Sequence, residues 1–236
     1  MNPSPASFFF AYPGTPRAIG DSIETAITGL KSHKPKQAFK SWRGLDIGGN
    51  EISAEVLDSI AIADVLVADI THLNCNVLFE IGFAIAKQKR AYLVRNSAVE
   101  ADSLHASLGI TDTLGYVEYA NSRELISVVN GVVDFHPLPL APTKNAKAPL
   151  YLNLGKKKTE YESKIVSAVK KLRLYFRAFD PNETPRLSAI DAIRDISSSS
   201  GALIHFLPPE MADQRTHNLR ASFLAGLAYG LELPCL

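Results

Sequence analysis

The chain predicts an α/β protein built from two tandem three-layer units, each a parallel sheet with helices on both faces, the second a degenerate copy of the first. Three observations predict this. Short apolar runs of strand length alternate with stretches whose apolar residues recur at helical spacing, the pattern of strand-helix-strand crossovers. The pattern breaks in a proline-rich segment, 137–149, and restarts at 150. The later half then lies over the earlier one with its landmarks in step but its acids replaced.

Residues 7–11 (Ser-Phe-Phe-Phe-Ala) are a buried strand by their apolar run, closed by the turn Tyr12-Pro13-Gly14. Ile19, Ile23, Ile27 and Leu30 stripe one face of a first helix. Residues 38–42 give a short second strand, and Ile52, Val56, Leu57 and Ile60 stripe a second helix. The third strand is 65–68 and the third helix 77–87. A fourth strand (90–94), a fifth (116–119) and a helix (123–133) complete a unit spanning 1–136. The linker is semi-extended by its proline content. In the second unit, 150–236, strands fall at 150–154, 174–179 and 202–207, and helices at 161–172, 190–196 and 219–231. Leu233-Pro234-Cys235-Leu236 reads as the start of another strand, which points to a native chain continuing past 236.

Strand and helix order of this kind belongs to flavodoxin-like (Rossmann-like) sheets, which bind ligands beyond the carboxyl ends of their strands. The two halves align as a duplication. Residues 200–207 lie over 63–70, and Leu224-Ala225-Gly226-Leu227-Ala228 lies over Glu80-Ile81-Gly82-Phe83-Ala84. Asp69 then corresponds to Phe206, Glu80 to Leu224 and Asn74 to Asn218. Any two α/β halves resemble one another somewhat, which is the plainer reading of the same match.

Composition excludes several classes. The 236 residues are 46% apolar with a formal net charge of +1, so no polyelectrolyte signal points to nucleic acid or an acidic membrane. Cys75 and Cys235 form no metal-ligand cluster and suit a reducing cytoplasm. The six histidines are scattered, and no metal is expected. The first residues lack the basic and apolar regions of a signal peptide. No apolar run approaches the roughly 20 residues that span a bilayer. No Gly-x-Gly-x-x-Gly follows a strand, and no Gly-x-Ser-x-Gly occurs, which argues against dinucleotide oxidoreductases and serine hydrolases.

The chemistry concentrates in 63–84. An apolar strand ends on Asp69, a polar loop follows, and Glu80 sits in the early turns of the next helix among Phe79, Ile81 and Phe83. An acid among such neighbours needs a reason, although one near a helix start can simply complement the dipole. Asp69 is either a site acid or a turn-forming residue. Around them at the strand ends lie Tyr12, Gly14, Trp42, Arg43 and Thr71. Gly14 permits close backbone approach. Trp42 can stack on a ring or merely pack. Arg17 and Arg43 can hold phosphate or stay solvated. Asn74 and Asn76 can cap the helix or meet ribose hydroxyls. Lys156-Lys157-Lys158 forms a basic turn of the kind most often solvated.

The motif Ala63-Asp64-x-x-x-Ala68-Asp69-Ile70-Thr71-x-x-Asn74-x-Asn76-Val77-x-x-Glu80-Ile81-Gly82-x-Ala84 resembles the signature of nucleoside 2-deoxyribosyltransferase-like proteins and their TIR-like relatives. The resemblance covers about residues 7–95. It implies that Glu80 attacks or stabilises the anomeric carbon of a ribosyl group, since N-glycosidic cleavage passes through an oxocarbenium-like state. Asp69 would hold sugar hydroxyls or the attacking water. The transferase pattern has an acid six residues before the nucleophile, where this chain has Asn74. That departure favours a hydrolase whose leaving group departs neutral, such as the nicotinamide of NAD. The expectation is therefore a nucleotide N-glycosidase acting on NAD or a nucleoside phosphate, with no cofactor. The resemblance also implies an antiphage effector in a prokaryotic cytoplasm, with a C-terminal sensor domain or partner protein and a homo-oligomeric state. Relatives complete their sites across a dimer, so residues near Asn218 are expected to approach Glu80. The rival reading is a catalytically silent module that senses a nucleotide or mediates assembly.

Overall fold

In the computed structural model, which describes residues 6–45, 51–140 and 148–236, the first apolar run becomes β1 (Ser7–Ala11). There follow α1 (Arg17–His33), β2 (Ala38–Ser41), α2 (Ile52–Ile62), β3 (Val65–Asp69), α3 (Cys75–Ala86) and β4 (Arg90–Asn96). Two short helices, α4 (His105–Leu108) and α5 (Ile110–Thr113), precede β5 (Tyr116–Tyr119) and α6 (Ser122–Asn130). The second unit comprises β6 (Leu150–Asn153), α7 (Glu160–Lys171), β7 (Phe176–Phe179), α8 (Ala189–Ser197), β8 (Gly201–Leu203) and α9 (Gln214–Gly230). Residues 141–147 of the expected linker lie outside the described residues.

Both sheets are parallel. The first has the order β2-β1-β3-β4-β5, and the second β7-β6-β8. The chain thus builds outward in one direction from its first strand and then in the other, with the reversal between β1 and β3, and again between β6 and β8. The expected tandem flavodoxin-like architecture is what the chain adopts. Ala202 also bridges Cys235 in parallel, with the Ala202 amide donating to the Pro234 carbonyl at 2.9 Å. The last residues therefore lie beside β8 as β4 lies beside β3.

Alternation along the strands divides the first core between two faces. Phe8, Phe10, Val65 and Val67 face Ile19, Ile23 and Ile27 of α1 and Leu125 and Val129 of α6. Phe9, Leu66 and Ala68 face the opposite layer, with Val56 and Ile60 of α2 and Ile81 and Ile85 of α3. Every residue of β3 is buried, Asp69 included. Burial of each such aromatic or branched side chain stabilises by roughly 1.5–3 kcal/mol.

The second core joins the first through α3 and α9. These helices run side by side and touch backbone to backbone at glycine. A Cβ added at Gly82 would lie 2.2 Å from the Phe223 carbonyl oxygen, and one added at Gly226 would lie 2.0 Å from that of Phe79. The two contacts are reciprocal under the duplication, which pairs Gly82 with Gly226 and Phe79 with Phe223. Ala86 and Gly230, also paired, meet four residues further on, where a Cβ on Gly230 would lie 2.6 Å from that of Ala86. The seam has the two-fold self-complementarity of an isologous dimer interface, here within one chain.

Some boundaries differ from expectation. The helix expected at 219–231 begins at Gln214, because the polar stretch before Leu219 is drawn into the junction between the units. The third strand of the second unit ends at Leu203 rather than 207. Helices α4 and α5 were not anticipated. No helix among the described residues is long and apolar enough to cross a membrane.

Candidate functional site

The residues expected at one site take part in three sets of contacts. The first centres on Glu80. Asn74 caps α3, its side-chain oxygen accepting from the backbone amides of Asn76 (2.8 Å) and Val77 (3.4 Å). This local cap fixes where the helix starts, and so which way its first turns point. Asn76 and Glu80, four residues apart, share a face. They line a cleft of about 470 Å³ between α2 and α3. Its walls are apolar (Ile52, Val56, Leu57, Phe79), with Ser53 adding a hydroxyl. Ile52 is 49% exposed there, so the stripe expected on α2 is turned partly toward the cleft and not wholly into the core.

Glu80 has no hydrogen-bond or ionic partner among the described residues. Burial alone pushes its carboxyl up from 4.5 to about 8. Desolvation of the charged form is the physical cause. At neutral pH the group is mostly protonated, and a cation entering the cleft would draw out its charged form.

The second group lies at the ends of β3, β4 and β5. Asp69 is 0% exposed. Its carboxylate accepts from the Tyr119 hydroxyl at 2.6 Å and from the Thr71 amide at 2.9 Å. The Thr71 hydroxyl accepts from the Asn96 amide at 2.7 Å, and the Asn96 side chain accepts from the Ala98 amide at 2.9 Å. Burial raises the Asp69 carboxyl above its ordinary range, and the bonds from Tyr119 and Thr71 oppose the rise. Asp69 and Thr71 were expected to meet a ligand. The structure instead closes both into a network tying three strand ends together, because Tyr119 reaches across from β5.

The third group surrounds Tyr12. Its hydroxyl donates to Glu24, which also accepts from Ser41 Oγ at 2.6 Å. The Tyr12 and Trp42 rings are tilted at 5.7 Å, and the Arg43 guanidinium lies 5.6 Å from the first and 5.3 Å from the second. Arg43 also pairs with Asp21 at 3.4 Å. Trp42 and Arg43 are thus engaged with their own neighbours. Gly14 is exposed, and a Cβ there would meet nothing within 4 Å, so the space above it is open. Residues 46–50, which lead from this group to α2, lie outside the described residues.

Of the residues singled out, only Asn76 lines the cleft with Glu80. The sequence reading missed Ser53, Glu24 and Tyr119. Glu24 was visible as an acid beside Ile23 on the buried stripe of α1. Tyr119 carried no local signal, since its partner is 50 residues away.

In the second unit apolar residues stand at the two positions aligned with the acids. Phe206, in the place of Asp69, is 54% exposed, and Leu224, in the place of Glu80, is fully buried. Asn218 binds the main chain of Leu207, donating to its carbonyl at 3.0 Å and accepting from its amide at 2.8 Å. The cleft itself is lined by the first unit alone among the described residues, while Phe223 and Gly226, further along α9 from Asn218, meet the backbone of Gly82 and Phe79 on either side of Glu80. No three His, Cys, Asp or Glu side chains among them are grouped as metal ligands.

No protein-family model matches the chain, and no curated protein matches it.

Proposed function

We propose that this chain is a nucleotide N-glycosidase in which Glu80 serves the anomeric carbon of a ribosyl group bound between α2 and α3. One observation carries the reading: an unpaired carboxyl stands in the wall of an apolar cleft of about 470 Å³ and is held mostly neutral by desolvation. A substrate with a positively charged ring, such as NAD, suits that wall. Its charge favours the carboxylate, and the same carboxylate stabilises the oxocarbenium-like state that follows. The C–N bond breaks with its electron pair going to the base, which leaves neutral. Water then adds at the anomeric carbon and releases its proton to solvent. The resemblance of 63–84 to deoxyribosyltransferase-like and TIR-like proteins supports this chemistry. It extends the reading to an antiphage effector in the cytoplasm, working with a sensor domain or partner protein and as a homo-oligomer.

The test is Glu80→Gln, which keeps the shape and removes the charge. Base release from NAD or a nucleoside phosphate is expected to fall at least about 10²-fold. Wild-type turnover in a folded variant would refute the assignment.

The closure of Asp69 favours a second reading, a nucleotide-sensing module without turnover, because it leaves Glu80 with no companion acid in the cleft. Calorimetry with NAD, ADP-ribose and cyclic nucleotides separates the two: a sensor binds its ligand and returns it intact.

A further inference from the structure

A guanidinium is buried in the second unit with no carboxylate at ion-pair distance among the described residues. Arg220 stands on α9 four residues before Leu224, as Asn76 stands four before Glu80, and it is 6% exposed. Its Nε donates to the Leu108 carbonyl at 3.2 Å. Nη2 donates to the carbonyls of Ser107 at 2.5 Å and Pro185 at 2.6 Å. The Phe179 ring lies 5.1 Å from the guanidinium carbon. Nη1 has no hydrogen-bond partner among the described residues. No carboxylate there reaches ion-pair distance; Asp213 acts on the charge from further off. Carbonyl dipoles solvate a cation but do not neutralise it, and an unmatched buried charge is costly.

Arg220 lines a cleft of about 270 Å³ at the carboxyl ends of β6 and β7, beside the first turn of α9. Lys156, Arg186 and Thr216 line it too, with Asp213 as its carboxylate. Arg186 is paired with Asp112 at 2.8 Å, whereas Lys156 has no ion pair among the described residues. His217, in the same wall, is uncharged at neutral pH, since burial pulls it down to about 4. Where the first unit presents an acid to its cleft, the second presents cations.

We propose that this cleft is an anion site that takes the phosphate group of a small molecule, held chiefly by Arg220 and Lys156. The first residue of the basic turn 156–158 is then part of a site and not merely solvated. Because Arg220 also grips the Ser107 and Leu108 carbonyls of the first unit, an anion bound there braces α4 against the second unit. The site stands independently of any role for Glu80.

The test is calorimetric titration of the full chain with inorganic phosphate at constant ionic strength, with sodium chloride as the control. Saturable one-site binding is expected for phosphate and none for chloride. Lys156→Ala, at an exposed position, is expected to weaken binding about tenfold, the effect of losing one charge-assisted hydrogen bond. Lys156→Glu and a folded Arg220→Gln are expected to abolish it. Should Arg220→Gln fail to fold, the lysine variants decide. Parallel titration with ribose 5-phosphate shows whether a phosphate ester binds better than the free ion. The proposal is overturned if phosphate gives no more heat than chloride, or if both lysine variants bind as the wild type does.

Discussion

Glu80 is kept in its cleft at a cost to the folded protein. Its carboxyl rises from 4.5 to about 8 on folding, so between those values the folded chain holds a proton the unfolded chain has lost. Stability therefore falls as pH rises across that window. Glu80→Gln removes the penalty. At pH 8 the variant should be more stable than wild type by on the order of 3 kcal/mol, with the gap closing near pH 5. Denaturant unfolding at both pH values checks it; equal gaps would mean that Glu80 is not desolvated. The same group sets the pH profile. For a carboxylate-dependent reaction, kcat/KM should climb with pH and level off above about 8, where free Glu80 is ionised. Asp69 behaves differently. Asp69→Ala strands the Tyr119 hydroxyl and the Thr71 amide, each loss costing about 1–3 kcal/mol. Stability should drop while turnover per folded molecule changes little. Lost turnover at unchanged stability would return Asp69 to the reacting site.

At the scale of elements, what could be read in advance was whatever is local. The cap of Asn74 lies within three residues of the amides it serves, so the start of α3 was legible. The strands showed as apolar runs and the helices as stripes. What stayed hidden depends on contacts across the chain. Helix α4 spans four residues, too few for a period to appear, and its carbonyls are held by Arg220 more than 100 positions away. The start of α9 was hidden because Gln214, Arg215 and Thr216 are polar, with Arg215 paired to Asp102 of the first unit. The seam was half legible. The alignment of Gly82 with Gly226 was visible, but not that both glycines stand where the two backbones meet. Gly82→Ala and Gly226→Ala should each destabilise by about 3 kcal/mol, at the upper end for overpacking, because the obstructing atoms are main chain and cannot swing aside. Thermal unfolding checks this, and a change within error would mean that the helices can part freely.

As a whole molecule, the protein is a pair of tandem α/β units that differ in what they place at their clefts. One keeps a carboxyl in an apolar cleft, while the other has leucine there and gathers cations nearby. The continuous core through α3 and α9 should make the two unfold together. Trp42, the single tryptophan, reports on the first unit, and far-ultraviolet circular dichroism reports on both. The two probes should give one coincident transition, and separate midpoints would show independent units. Of the two acids read from 63–84, Glu80 lines the cleft, whereas Asp69 is held by the Tyr119 hydroxyl and the Thr71 amide. The functional account therefore rests on Glu80. Its most direct test is to incubate wild-type protein and Glu80→Gln with NAD and a panel of nucleotides and to analyse for released base. The account predicts base from the wild type and almost none from the variant. Equal release from both, or an untouched panel with bound nucleotide recovered intact, would contradict it.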